Sequence, residues 1–239
     1  MRMVTASGRS RWPLVIGGGL LVLVIGGGIA YTATQPTAEP VATPASSTPT
    51  ATPAPTGGAS GSGDNEDDVA PTGCLGGQDR NANMVLTAQA EAKHSTYGAV
   101  EVATAFERWL WQYPYPPAAE SDAVSAQVMA STAIAGWKDL TSQYAAIGDD
   151  PTQGVITPAT PFHVSTTNGL WRVTEDSTAD RVNVELAVGY VVNGELSPTK
   201  VAGMGLVMVW EDGQWHVETG TLVDETKLAN GGTRYTGGC

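Results

Sequence analysis

The stretch RVNVELAVGYVV, residues 181–192, decides the fold class. Val182, Val184, Leu186, Val188, Tyr190 and Val192 occupy alternate positions, with Arg181, Asn183 and Glu185 between them. A period of two sends successive side chains to opposite faces, so this is a strand with one face in a core and the other toward water. The same reading continues outward. Asn193-Gly194 is a turn pair, because both residues tolerate positive φ. Residues 201–210 are apolar on both faces, as a covered central strand should be. Asp212-Gly213 turns the chain into residues 214–219, where Trp215 and Val217 face inward. Upstream, residues 162–166 and 170–175 read as two short strands joined as a hairpin by Asn168-Gly169.

Before residue 150 the period changes. Gly98 caps a helix with Glu101 three residues on, and Val102, Phe106, Trp109 and Tyr113 recur at three-to-four spacing. Pro114, Pro116 and Pro117 end that helix. Pro117 suits the first turn of the next, where Glu120 and Asp122 favour the positive helix end and Val124, Val128 and Met129 continue the apolar stripe. A third helix over 137–147 stops at Gly148, before the turn Asp149-Asp150-Pro151. Helices followed by an antiparallel meander predict an α+β domain, a curved sheet with helices on its concave face.

The chain has 239 residues, of which 29 are Gly and 15 Pro, so part of it is not packed. Charged residues at 15% argue against a coiled coil. A net charge of −12 argues against nucleic acid as a partner, since binding it needs a basic face. Arg2, Arg9 and Arg11 give residues 1–11 a charge of +3, leaving nine basic against 24 acidic side chains, or −15, for the rest. Residues 12–31 carry no charge, and twenty helical residues span about 30 Å, the thickness of a bilayer core. The positive-inside rule then predicts a cytoplasmic tail over 1–11, a transmembrane helix over 12–31 and everything beyond it outside the cell membrane. A cleaved signal peptide is the rival reading, but the apolar run is long for one and no small-x-small site follows Tyr31. Gly19, Gly26 and Ala30 share a helix face that would let another helix approach, as in a homo-oligomer, but glycines are common in membrane helices in any case, and that plainer reading is preferred.

Residues 32–73 form a Pro/Thr/Gly/Ser linker too poor in large apolar residues to build a core, and are expected to be disordered. Its acidic run, Asp64 with Glu66, Asp67 and Asp68, lacks the spacing of a calcium loop and reads as solvated charge. The only two cysteines, Cys74 and Cys239, bracket the folded unit over 74–239. An even pair in an oxidising compartment invites a disulfide between them, the alternative being free or intermolecular thiols.

The order of helices and meander resembles the nuclear-transport-factor-2-like (cystatin-like) cone. Residues 95–116, STYGAVEVATAFERWLWQYPYP, and the hairpin VWEDGQWHV over 209–217 carry that resemblance. With the basic tail, single span and Thr/Pro linker, the chain also resembles actinobacterial membrane-anchored proteins of conjugative elements. In these, as in scaffold subunits of type IV secretion and conjugation machines, a single span carries such a cone outside. The resemblance implies a non-enzymatic envelope protein whose partners are the membrane and other envelope or secretion-system proteins. The alternative is an extracellular binding or sensory module for lipid or cell-wall ligands, and a third reading is a cone-fold enzyme.

Candidate chemistry is sparse. His94, His163 and His216 are the only histidines, and no metal-ligand spacing, catalytic site or cofactor motif is expected. Ser95 follows His94 without the context of an activated nucleophile. His216 alternates with Trp215 and Val217 and is expected to be exposed, and His163 to sit at a strand rim. Tyr190 with Asp139 or Asp180 is the pairing an enzyme of cone fold would need. Trp109, Trp111 and Trp137 are expected in the core.

Overall fold

A computed structural model describes residues 69–239, so the expected tail and span, and most of the expected linker, lie outside the described residues. Within them, helices pack on a curled antiparallel half-barrel sheet. The elements are α1 (Ala82–Glu91), α2 (Thr96–Leu110), β1 (Gln112–Tyr113), α3 (Ala118–Gln127), α4 (Leu140–Ile147), β2 (Phe162–Val173), β3 (Arg181–Val192), β4 (Glu195–Glu211), β5 (Gln214–Thr221), α5 (Glu225–Gly231) and β6 (Thr233–Arg234). The sheet order is β1-β2-β3-β4-β5, with β6 against β2. No helix among the described residues is long and apolar enough to cross a membrane.

The strand over 181–192 forms as its alternation demands: Val182, Val184, Leu186, Val188 and Tyr190 are all buried on the helix side. Turns at Asn193-Gly194 and Asp212-Gly213 carry positive φ at both residues. Central β4, flanked by β3 and β5, is buried continuously from Met204 to Val209. Register shifts within each of the β2–β3, β3–β4 and β4–β5 pairings break the ladders, and such bulges increase the local twist that bends a sheet. Into the hollow go Phe106, Trp109, Leu110, Leu140, Leu186, Leu206, Met208 and Trp215.

Several expectations are corrected. Asn168-Gly169 is not a hairpin: β2 runs unbroken from Phe162 to Val173, and Asn168, at φ 61°, forms a bulge in it. The left-handed preference of Asn suits either device, and only the pairing of both flanks with the single strand β3 distinguishes them. Helix α2 starts at Thr96, and Ser95, not Gly98, is its cap, its Oγ accepting from the Gly98 N–H at 3.1 Å. Tyr113 belongs to β1 rather than the helix. Pro117 is the N-cap of α3, and α4 begins at Leu140, with Trp137 in the preceding turns. Helix α1 was not anticipated. Its signal is Asn81, whose Oδ1 accepts from the Met84 N–H at 3.0 Å, followed by Met84, Val85 and Ala88 on a buried stripe. Not every helix is on the concave face. Asp224 at the start of α5 donates its N–H to Glu185, which the alternation of β3 places on the outer face. Glu185 is therefore buried, held by Arg172 at 3.0 Å, instead of exposed.

Candidate functional site

Helix α2 organises both polar features of the interior. From Gly98 to Leu110 every one of its residues is buried, including Glu101, Thr104, Glu107 and Arg108. A charge in such a place is tolerated only with partners. Glu101 and Arg108, two turns apart, find them in the segment that enters the domain. Glu101 Oε1 accepts from the Thr72 N–H (2.5 Å), the Thr72 hydroxyl (2.9 Å) and the Gly73 N–H (3.3 Å). The Arg108 guanidinium donates to the Gly73 carbonyl at 3.3 Å and the Gly77 carbonyl at 3.0 Å. Burial lowers the Arg108 pKa to about 10, with Arg80 adding to the effect and Glu101 opposing it.

The clasp closes on the other side through the cysteines. Cys74 and Cys239 form a disulfide, with Cα atoms 5.6 Å apart. Thr166 of β2 reaches both strands of this junction: its Oγ accepts from the Cys239 N–H at 2.9 Å and donates to the Gly73 carbonyl at 3.4 Å. Gly73 has φ 75°, and a Cβ there would lie 2.8 Å from the Thr166 side chain. Only glycine meets both demands. Pro71 and Gly73 are buried, so the last residues assigned to the linker already belong to the domain.

The second feature is the face of α2 turned to the sheet. The Thr104 hydroxyl hydrogen-bonds the Tyr235 hydroxyl at 2.8 Å. Glu107, one turn on, is fully buried and neither carboxyl oxygen has a partner. Burial pushes its pKa well above the carboxylate range, which favours the protonated acid. Tyr190 is also buried with an unpartnered hydroxyl, and its pKa is raised by burial and then by Glu107. Tyr235 is raised by burial first and next by Glu107. Ring contacts continue the cluster from Tyr190 to Phe162 (5.5 Å) and from Phe162 to Trp111 (6.4 Å). A neutral carboxylic acid between phenols can donate or relay a proton and can hold a small hydrogen-bonding molecule.

The residues singled out in the sequence scatter. Asp139 caps α4, accepting from the Ser142 N–H at 3.1 Å. Asp180 pairs with His94 Nε2 at 2.8 Å on the surface. Neither forms the pair expected with Tyr190, whose acidic neighbour is Glu107. His94 stacks on Trp210 with ring centroids 4.2 Å apart. Ser95 is spent as a cap. His216 is half-buried rather than exposed, its Nδ1 3.4 Å from the Gln89 amide. His163 is half-buried, and its pKa falls to about 4 through burial, then the charges of Arg80 and Arg108. Trp109, Trp111 and Trp137 are core residues as expected. Glu107 was not singled out in the sequence; the signal it offers there is its spacing of three from Thr104 and four from Trp111.

An open groove of about 380 Å³ lies on the outer face, where Leu170, Ala187, Gly189, Leu196 and Val201 meet Ala229 of α5. Among the described residues no group of three or more His, Cys, Asp or Glu is placed to hold a metal ion. Comparison with protein-family models, curated proteins and solved structures finds no match to this chain.

Proposed function

We propose that this chain is a non-enzymatic, membrane-anchored envelope protein, an assembly component of a conjugation or secretion machine. Its domain over 74–239 stands outside the membrane as a nuclear-transport-factor-2-like cone. The observation that carries the reading is the clasp at the entry of the domain. Buried Glu101 and Arg108, the Cys74–Cys239 disulfide and Thr166 all fasten residues 72–77 to the core. Such fastening suits a domain held by that end, because force or motion on the tether meets a covalent and hydrogen-bonded junction rather than a fraying terminus. A disulfide also suits an oxidising compartment, and the charge-free segment over 12–31 supplies the anchor. Tethering raises the effective concentration of weak partners along the membrane.

The test is genetic and topological. Deleting the gene should lower DNA transfer or secretion without slowing growth, and complementation should need both the 12–31 span and the clasped domain. The chain should fractionate with membranes, with its domain open to protease only from outside. Unimpaired transfer and secretion in the deletion strain overturn the assembly role, and a soluble product beginning after Tyr31 overturns the anchor.

The reading as a ligand-binding module or cone-fold enzyme rests on Glu107 and Tyr190. Buried polar atoms left without partners cost about 1–3 kcal/mol each, so a concentration of them marks a place where something other than the protein can bond. If that reading holds, Glu107→Gln and Tyr190→Phe should each abolish function while the domain stays folded by circular dichroism.

A further inference from the structure

The outer face of β3 changes character along its length. Arg181, Asn183 and Glu185 make its first half polar, whereas Ala187 and Gly189 leave the second half small and apolar. Neighbouring strands extend that bare area, because residues opposed in a ladder point to the same face. Ala187 stands opposite Leu170 of β2, and Gly189 opposite Val201 of β4. Two walls rise beside this floor. One includes Ala229 of α5, a helix fixed by the Asp224 N–H on Glu185 at 3.0 Å. The other includes Leu196, 39% exposed, in the arm over 195–201. Ser197 Oγ stiffens that arm by accepting from the Lys200 N–H at 3.1 Å, and Lys200 Nζ ties it to the Val155 carbonyl at 2.5 Å. The groove so formed measures about 380 Å³, within the ~300–1,000 Å³ usual for small-molecule sites. Its edge on β6 is charged. Arg234 stands opposite Leu170 on the same face and donates to the Asn168 carbonyl at 3.2 Å. Among the described residues that line the groove it alone carries a charge, and that charge is positive on a chain of −12.

We propose that this groove binds an unbranched alkyl carboxylate, its hydrocarbon on the floor between Leu170 and Val201 and its carboxylate at Arg234. A guanidinium presents paired N–H donors that match the two oxygens of a carboxylate. The floor asks for hydrocarbon rather than for a peptide or a sugar. Its backbone groups are already paired in the β2–β3 and β3–β4 ladders, and the Ser197 hydroxyl is engaged within its own arm. An extended peptide or a polyhydroxyl ligand would lose hydrogen bonds to water there without replacing them, whereas an alkyl chain has none to lose. A bilayer surface suits the shape poorly, because insertion needs apolar groups that protrude, and these line a hollow. Both walls are fixed by hydrogen bonds of their own, so closing on a chain costs little ordering.

The experiment uses the full chain in phosphatidylcholine nanodiscs and dodecanoate carrying a diazirine at its methyl end, with crosslinked residues mapped by mass spectrometry. Crosslinks should concentrate on the groove, at 187–201 and around Ala229. Unlabelled dodecanoate should displace the probe. Dodecanol should need a concentration about tenfold higher, as expected for loss of a charge-assisted hydrogen bond, and dodecyltrimethylammonium should need more still. Ala187→Phe, which fills the floor, should abolish crosslinking with the circular dichroism unchanged. Arg234→Gln should lower the affinity for dodecanoate about tenfold and leave that for dodecanol unchanged, a split that a merely structural arginine would not give. The site is overturned if crosslinks spread evenly over the domain, or if dodecyltrimethylammonium displaces the probe as well as dodecanoate does. Wild-type affinity for dodecanoate in Arg234→Gln overturns it too, as does undiminished crosslinking in a folded Ala187→Phe. Probe that stays in the nanodisc and never crosslinks to the groove overturns it in favour of a bilayer contact.

Discussion

The two polar sides of α2 have opposite fates. Glu101 and Arg108 face the entering segment 72–77, where backbone groups meet them; Glu107, adjacent in sequence to Arg108, faces the sheet and meets none. Burial is nearly the same for all three, so burial does not explain the difference. Partner supply does. A segment without regular secondary structure has backbone N–H and C=O groups to give, whereas a strand has already used its own in the ladder. The clasp side therefore meets hydrogen-bond partners, and on the sheet side burial favours the neutral acid of Glu107.

The largest expected effect tests the clasp as a whole. Cys74→Ser/Cys239→Ser opens a loop of 165 residues in sequence separation, and chain entropy puts the loss at up to about 5 kcal/mol. The variant should melt earlier yet still fold cooperatively, because the core does not depend on the bridge. A loss of cooperativity in the calorimetric transition would mean the clasp organises the core rather than fastening it.

Next is Arg108→Met, which keeps the aliphatic stem but strands the Gly73 and Gly77 carbonyls and leaves Glu101 without its cation. Breaking a buried charge set from one side costs about 3–5 kcal/mol, a loss that denaturant titration of the variant should read. In the same variant the His163 pKa should rise from about 4 toward its ordinary 6.5, followed by NMR, since one of its repelling charges is gone.

Glu107→Gln should act in the other direction. A carboxyl whose pKa is raised by folding contributes stability that is fully present below its unfolded value of 4.5 and is lost as pH rises through the folded value. The variant should therefore melt higher than the wild type at about pH 8, with the two curves converging near pH 4. A Glu107→Gln domain less stable at every pH would show that the carboxyl has a partner after all. His163 has the opposite sign: its lowered pKa gives stability present above 6.5 and lost as pH falls toward about 4. Replacing it with Gln should flatten the acid limb only.

The smallest effect belongs to the surface. His94→Ala removes the stack on Trp210 and the contact with Asp180, a pair whose members are both well exposed. A drop of about 1 kcal/mol or less is expected. A larger drop would make this aromatic corner a third organising site beside the two faces of α2.

How much of this was legible beforehand differs by element. Alternation over 181–192, apolarity over 201–210 and the paired turn residues declared three strands and their order, because in a meander neighbours in sequence are neighbours in the sheet. Two cysteines at the ends of the unit declared their own pairing once an oxidising compartment was assumed. What sequence could not assign were features whose partners lie far away. Asn168 becomes a bulge because both flanks pair with β3. Glu185 is buried because α5, some forty residues later, lies over it. Glu101 and Glu107 are both acids on one helix, and nothing local separates the one that receives three donors from the one that receives none. Periodicity determined the inward face of β3; tertiary structure alone buried Glu185 and the whole girth of α2 and decided what these residues meet, because burial by a distant element and a hydrogen-bond partner are matters of position in space rather than spacing along the chain.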